Sequence, residues 1–83
     1  MKKFKFKLVN LNSEIKEYEI ETLICKTPLG EISILANHHP LITVVNRGKI
    51  KIKNENQEEE IELITDAILE VNFDEVKLIC FSY

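Results

Sequence analysis

Charged and bulky apolar residues alternate along Lys3-Phe4-Lys5-Phe6-Lys7-Leu8 and again along Lys49-Ile50-Lys51-Ile52-Lys53. In an extended chain every second side chain falls on the same face, so each segment predicts a strand with one wet and one dry face. Glu17-Tyr18-Glu19-Ile20-Glu21 and Glu60-Ile61-Glu62-Leu63 repeat the device with acids. Glu17, Glu19 and Glu21 are expected to share one solvated face, where like charges resist edge-to-edge pairing. The lysine stripes read in the same way, as wet faces.

Turn-forming clusters separate these segments at hairpin spacing: Asn10-Leu11-Asn12-Ser13, Thr27-Pro28-Leu29-Gly30, Asn46-Arg47-Gly48, Asn54-Glu55-Asn56-Gln57 and Asn72-Phe73-Asp74-Glu75. Gly30 and Gly48 are the structural turn residues. Gly48 is expected to supply the positive φ of a short hairpin loop, which Arg47 accepts less easily. No helical period, repeat, linker or low-complexity stretch interrupts the pattern. The fold class is therefore all-β, antiparallel in character, with about eight to ten short strands in a two-sheet sandwich or flattened barrel that buries the alternating dry faces.

With 83 residues the chain predicts one domain, 1–83, because two cores do not fit. A 45% hydrophobic and 30% charged composition is that of a globular domain. The formal charge of -3 and a pI of about 5.4 argue against a general nucleic-acid binder, which carries a basic excess. The basic start at Met1-Lys2-Lys3 leads into no apolar core or cleavage site of a signal peptide and reads as a strand. No apolar run approaches the roughly 18 residues that a bilayer-crossing helix needs, so membrane association is expected only through a partner. Cys25 and Cys80 form no CxxC pair and sit in apolar stretches, which predicts two buried free thiols in a reducing compartment.

The chemistry-bearing residues are sparse. His38 and His39 are adjacent, held by Pro40 in an extended or turned segment, and no Cys, Asp or Glu lies near them at metal-ligand spacing. Ser33 lies on a predicted strand with no base to activate it. Gly30 and Gly48 stand apart and neither opens a helix, so no phosphate-cradling loop forms. No catalytic residue, metal or cofactor is expected.

One segment has an unusual order of residues: Gly30-Glu31-Ile32-Ser33-Ile34-Leu35-Ala36-Asn37-His38-His39-Pro40-Leu41-Ile42-Thr43 joins two apolar strands through a polar corner. It resembles the epsilon subunit family of F-type ATP synthases, in which a glycine-acid-hydrophobic strand runs into an Asn/Gly-His-x-Pro-Leu corner. Thr27-Pro28-Leu29-Gly30-Glu31, Gly48-Lys49-Ile50-Lys51-Ile52, the Leu69-Glu70-Val71 ending and the last strand at Val76-Lys77-Leu78-Ile79 match in register. The resemblance covers the whole chain and implies the family's β-sandwich. Ser33 stands where that family commonly has a glycine, Ala36 or Arg47 where it has a proline, and Asp66-Ala67 where it has a glycine pair. The backbone at those places is expected to differ.

The resemblance implies a non-catalytic rotor subunit of the central stalk, clasping the gamma subunit and resting on the c-ring, with no nucleic acid among its partners. It implies a place at the cytoplasmic side of a bacterial inner membrane, or the organelle-encoded equivalent, held there through the complex. It makes Glu31, Asn37, His38, His39 and Pro40 the c-ring-facing group. Phe81-Ser82-Tyr83 falls where the family's two nucleotide-sensing, inhibitory helices begin, so neither of those jobs is expected of residues 1–83. The rival reading is an unrelated small β-sandwich interaction module.

Overall fold

A computed structural model describes residues 2–12 and 14–80. Ser13 of the first turn and the terminal Phe81-Ser82-Tyr83 lie outside the described residues. The described chain forms strands β1 (Phe4–Asn10), β2 (Ile15–Ile20), β3 (Thr22–Thr27), β4 (Gly30–Ile34), β5 (Leu41–Val45), β6 (Gly48–Asn54), β7 (Gln57–Leu63), β8 (Ala67–Val71) and β9 (Glu75–Cys80). They make two sheets, one ordered β2-β1-β9-β8-β5 and the other β4-β3-β6-β7. The architecture is the expected all-β sandwich.

Alternation builds the core. Phe4, Phe6 and Leu8 of β1 point inward with Val76, Leu78 and Cys80 of β9, and meet Leu23, Cys25, Ile50 and Ile52 of the facing sheet. Phe6 stacks on Tyr18 across the β1–β2 ladder, ring centroids 5.8 Å apart. Burying a side chain of this size is worth about 1.5–3 kcal/mol, which lets the dry faces outweigh the chain's lost freedom. Both cysteines are buried and, among the described residues, neither is in a disulfide; the Cys80 thiol donates to the Val9 carbonyl at 3.5 Å.

Of the described ladders, β1 with β9 runs parallel and the others antiparallel. The first and last strands thus lie side by side at the centre of one sheet, Phe6 opposite Val76 and Leu8 opposite Leu78.

Two local expectations are corrected. The Asn46-Arg47-Gly48 segment is not a hairpin, because β5 pairs with β8 in one sheet while β6 pairs with β3 and β7 in the other. Both strands carry inward apolar residues, Val45 and Ile50, and the chain has to cross between layers to bury both. Gly48 still takes a positive φ, 125°, at the start of β6, and Gly30 takes 126° at the end of a true two-residue hairpin loop. Space does not demand glycine at either place, since an added Cβ meets nothing within 4 Å; the backbone angle does.

The second correction is Glu21. It does not share the wet face of Glu17 and Glu19 but fills the single-residue joint between β2 and β3, where the chain passes from one sheet to the other. There it is buried and its Oε1 accepts the Glu55 N–H at 2.9 Å, while its own N–H donates to the Lys53 carbonyl at 3.0 Å. The period of two breaks at a sheet-to-sheet corner, and an acid that alternation sends outward turns in.

Candidate functional site

The sandwich has two ends. One gathers the β3–β4 hairpin and the β5–β6 and β7–β8 crossings; the other gathers the β2–β3 joint, segment 35–40 and the β6–β7 and β8–β9 hairpins. This division separates the candidate residues. Glu31 follows the β3–β4 hairpin, opposite Lys26, whereas Asn37, His38, His39 and Pro40 lie beyond the far end of β4. About 10 Å of strand, at ~3.3 Å per residue, runs from Glu31 to the end of β4 at Ile34, before the corner begins. They do not form one surface.

The hairpin beside Glu31 is locally determined. Thr27 Oγ1 donates to the Gly30 carbonyl at 2.8 Å and accepts the Leu29 N–H at 3.2 Å, so one hydroxyl closes the turn. Leu29 at its tip is 100% exposed. Glu31 is also exposed, and its charge adds to burial in pushing the Cys25 thiol up to about 11. An apolar tip beside a free carboxylate can make both dry and charge-assisted contacts.

The corner is held differently. Asn37 adopts φ 64°, which asparagine tolerates better than most residues. His38 Nδ1 lies 2.7 Å from the His39 carbonyl oxygen. A carbonyl only accepts, so Nδ1 carries the proton in this contact and the ring serves the turn. His39 and Pro40 are exposed. Among the described residues no group of three or more His, Cys, Asp or Glu side chains is placed to hold a metal.

A larger feature escaped the sequence reading. On the solvent face of the five-stranded sheet, Ile15 stands opposite Val9, Val9 opposite Ile79, Ile79 opposite Ile68, and Ile68 opposite Val44. Cross-strand partners share a face, so these five side chains form an apolar row that crosses every strand of the sheet. Ile15 and Ile68 are 60% and 45% exposed. At its β5 end the row borders a groove of about 320 Å³ lined by Leu11, Val44, Ile68, Ile79 and neighbours.

The next row is charged: Lys7 and Lys77 stand side by side, flanked by Glu17 and Glu70. Glu75 holds both lysines, at 3.1 Å from Lys7 Nζ and 3.8 Å from Lys77 Nζ. The face is thus divided, apolar toward one end and ionic toward the other. The available signal was loss of alternation, since Leu41-Ile42-Thr43-Val44-Val45, apolar but for Thr43, and Ala67-Ile68-Leu69 put apolar residues on both faces, the mark of a strand covered on both sides.

Residues 3–82 match the family model described as ATP synthase, Delta/Epsilon chain, beta-sandwich domain. The ATP synthase epsilon chain of Psychrobacter arcticus is 37% identical over 65 residues, 78% of this chain and 47% of that protein. That of Acinetobacter baylyi is 36% identical over 64 residues, 77% of this chain and 46% of that protein. The chain spans about half the length of the curated relatives it matches. Among solved structures, a chain of the Euglena gracilis mitochondrial ATP synthase (OSCP/F1/c-ring) superposes with a TM-score of 0.87 at 17% identity, over 99% of this chain and 52% of that one. A chain of the Tetrahymena thermophila central stalk and c-ring gives 0.65 at 20% identity, over 95% and 66% respectively. At these identities the structural likeness speaks to fold.

Proposed function

Because this chain belongs to the ATP synthase delta/epsilon family through its β-sandwich domain, we propose that it is a non-catalytic rotor subunit of the central stalk, joining c-ring rotation to gamma. The observation that carries the reading is the apolar row Ile15, Val9, Ile79, Ile68 and Val44 on an otherwise solvated face. A face of that kind on a small domain fits a protein partner, with charged rows beside it to set orientation. Gamma takes this face. A close-packed β core is poorly compressible and passes load, which suits torque transfer. An unrelated interaction module is disfavoured by family membership.

The β3–β4 hairpin, with Leu29 and Glu31, is the element offered to polar loops of the c-ring. The corner at Asn37, His38, His39 and Pro40 sits at the opposite end of the sandwich and serves as the connection between sheets. The subunit works at the cytoplasmic side of a bacterial inner membrane and meets the membrane only through the complex. No helix among the described residues is long and apolar enough to cross one.

Co-expression with gamma tests this. A one-to-one complex is expected on gel filtration, and Ile68→Glu with Val44→Lys abolishes it while the thermal melt of the free chain changes little, because both side chains are on the solvent face and the opposite charges meet across the β5–β8 ladder. Co-elution that survives the double change overturns the assignment of this face.

A further inference from the structure

The sandwich has four strand edges, and they are not protected alike. On one lateral side lie β2 and β7, which carry three and four charged side chains. On the other lie β4, with Glu31 alone, and β5, Leu41-Ile42-Thr43-Val44-Val45, with none. Natural sheets guard open edges with charge, proline or a bulge, because unpaired N–H and C=O groups recruit any strand that reaches them. The β5 edge has none of these within it. It is also anchored, with Pro40 stiffening its entry and the Asn46 N–H bonded to the Lys26 carbonyl of the other sheet at 2.8 Å at its exit.

We propose that the free edge of β5 is a docking edge, to which an extended, uncharged strand of gamma adds main chain to main chain, lengthening the five-stranded sheet to six. The inference rests on the reading above for the identity of the partner, but not for the edge. An open edge is matched only by an extended segment, which gains its affinity from backbone hydrogen bonds and its selectivity from alternate side chains. Those side chains are constrained by the neighbours they would join. The apolar row reaches the edge at Val44, and Ile42, 72% exposed, ends the charged row beyond Glu70. An incoming strand therefore sets apolar residues beside Ile42 and Val44. It continues the apolar row outward and lets one partner cover both row and edge.

A second copy of this chain is a poorer occupant. Two β5 strands paired antiparallel about a two-fold at Thr43 would set Arg47 of each copy opposite His39 of the other, and neither segment supplies a carboxylate to meet the guanidinium. A gamma strand is free of that constraint.

The test is amide exchange on the free chain and on its co-expressed complex with gamma. In the free chain, the alternate amides of Leu41–Val45 that point away from β8 should exchange fast. In the complex those same amides should slow by about tenfold or more, because a new ladder has to open first. A complex that forms with unchanged β5 exchange overturns strand addition and leaves the stalk reading standing. Failure of any complex to form overturns the stalk reading and this inference together. Protection that arises in the free chain as a dimer overturns gamma as the occupant. Thr43→Pro and Val44→Pro give an independent check, since consecutive N–H groups point to opposite sides of a strand and only one of the two belongs to the β8 ladder. The variant that keeps the parent melting temperature should bind gamma at least about tenfold more weakly, and undiminished binding by it overturns the proposal. If neither variant folds, the exchange pattern decides.

Discussion

The backbone N–H of Arg47 donates to Asp66 Oδ1 at 2.8 Å, and this bond ties together the two crossings, β5 to β6 and β7 to β8, at one end of the sandwich. The resemblance puts a proline, which has no N–H to give, at Ala36 or Arg47, and a glycine, which has no side chain to receive one, at Asp66. Two crossings that are separate along the chain are thus bonded to each other in space.

Removing that acceptor should therefore matter more than an exposed acid usually does. Asp66→Ala is expected to lower the unfolding free energy by about 1 kcal/mol, the net worth of one hydrogen bond, while Asp66→Asn retains an oxygen at the same place and loses less. Urea titrations of the three proteins decide it. Equal loss in Ala and Asn would remove the bond from the account.

Glu21 and Glu55 form a second tie, between the β2–β3 joint and the tip of the β6–β7 hairpin, where Glu55 sits at φ 47°. Glu21→Ala leaves the Glu55 N–H without its acceptor and is expected to cost about 1–3 kcal/mol, well above a typical surface change. Glu55→Gly keeps the N–H and relieves the unfavourable backbone angle, so it should stabilise by about 1 kcal/mol. Opposite signs from two neighbouring glutamates are the outcome to look for in chemical denaturation.

Burial, with Glu31 as a lesser cause, moves the Cys25 thiol from 9.0 up to about 11. The folded chain then holds this proton more tightly than the unfolded chain. The stability linked to it is whole below pH 9 and is lost as pH rises toward 11. Thiol labelling of the native protein at about pH 8 should be slow and should accelerate on unfolding, since the thiolate is the reactive form. In Cys25→Ala the alkaline decline of stability should be shallower. A native-state labelling rate close to that of a free thiol would contradict the burial of this side chain.

Glu31 and His38 should now behave as separate sites. Glu31→Lys reverses charge on the exposed hairpin and is expected to leave the melt within about 0.5 kcal/mol of the parent, keep gamma binding and impair proton pumping in membrane vesicles. His38→Ala removes the ring that meets the His39 carbonyl and should lower stability by about 1 kcal/mol without a coupling defect. A pumping loss in His38→Ala and none in Glu31→Lys would reverse the assignment of the two ends.

Period-two patterning by itself determined that this chain is an all-β protein, a sandwich or a flattened barrel, because alternating Lys-Phe and Lys-Ile segments have to bury their apolar halves against another layer of sheet. The division into two sheets came with the tertiary structure. The hairpins at Pro28-Leu29 and Glu55-Asn56 were legible for a similar reason, since turn chemistry acts over a few residues. The order of residues in segment 30–43 was enough to carry the family resemblance. What tertiary structure decided were relations between segments distant in sequence. A strand's own sequence does not state which strand lies beside it, so the parallel β1–β9 pair, the crossing at Gly48 and the inward turn of Glu21 were invisible. Glu31 and His38 looked like neighbours because they are seven positions apart, yet an extended strand carries them to opposite ends of the molecule. Ile15, Val9, Ile79, Ile68 and Val44, scattered over the whole chain, become one surface only when five strands come into register, because hydrogen-bonded neighbours, not sequence neighbours, define the face of a sheet.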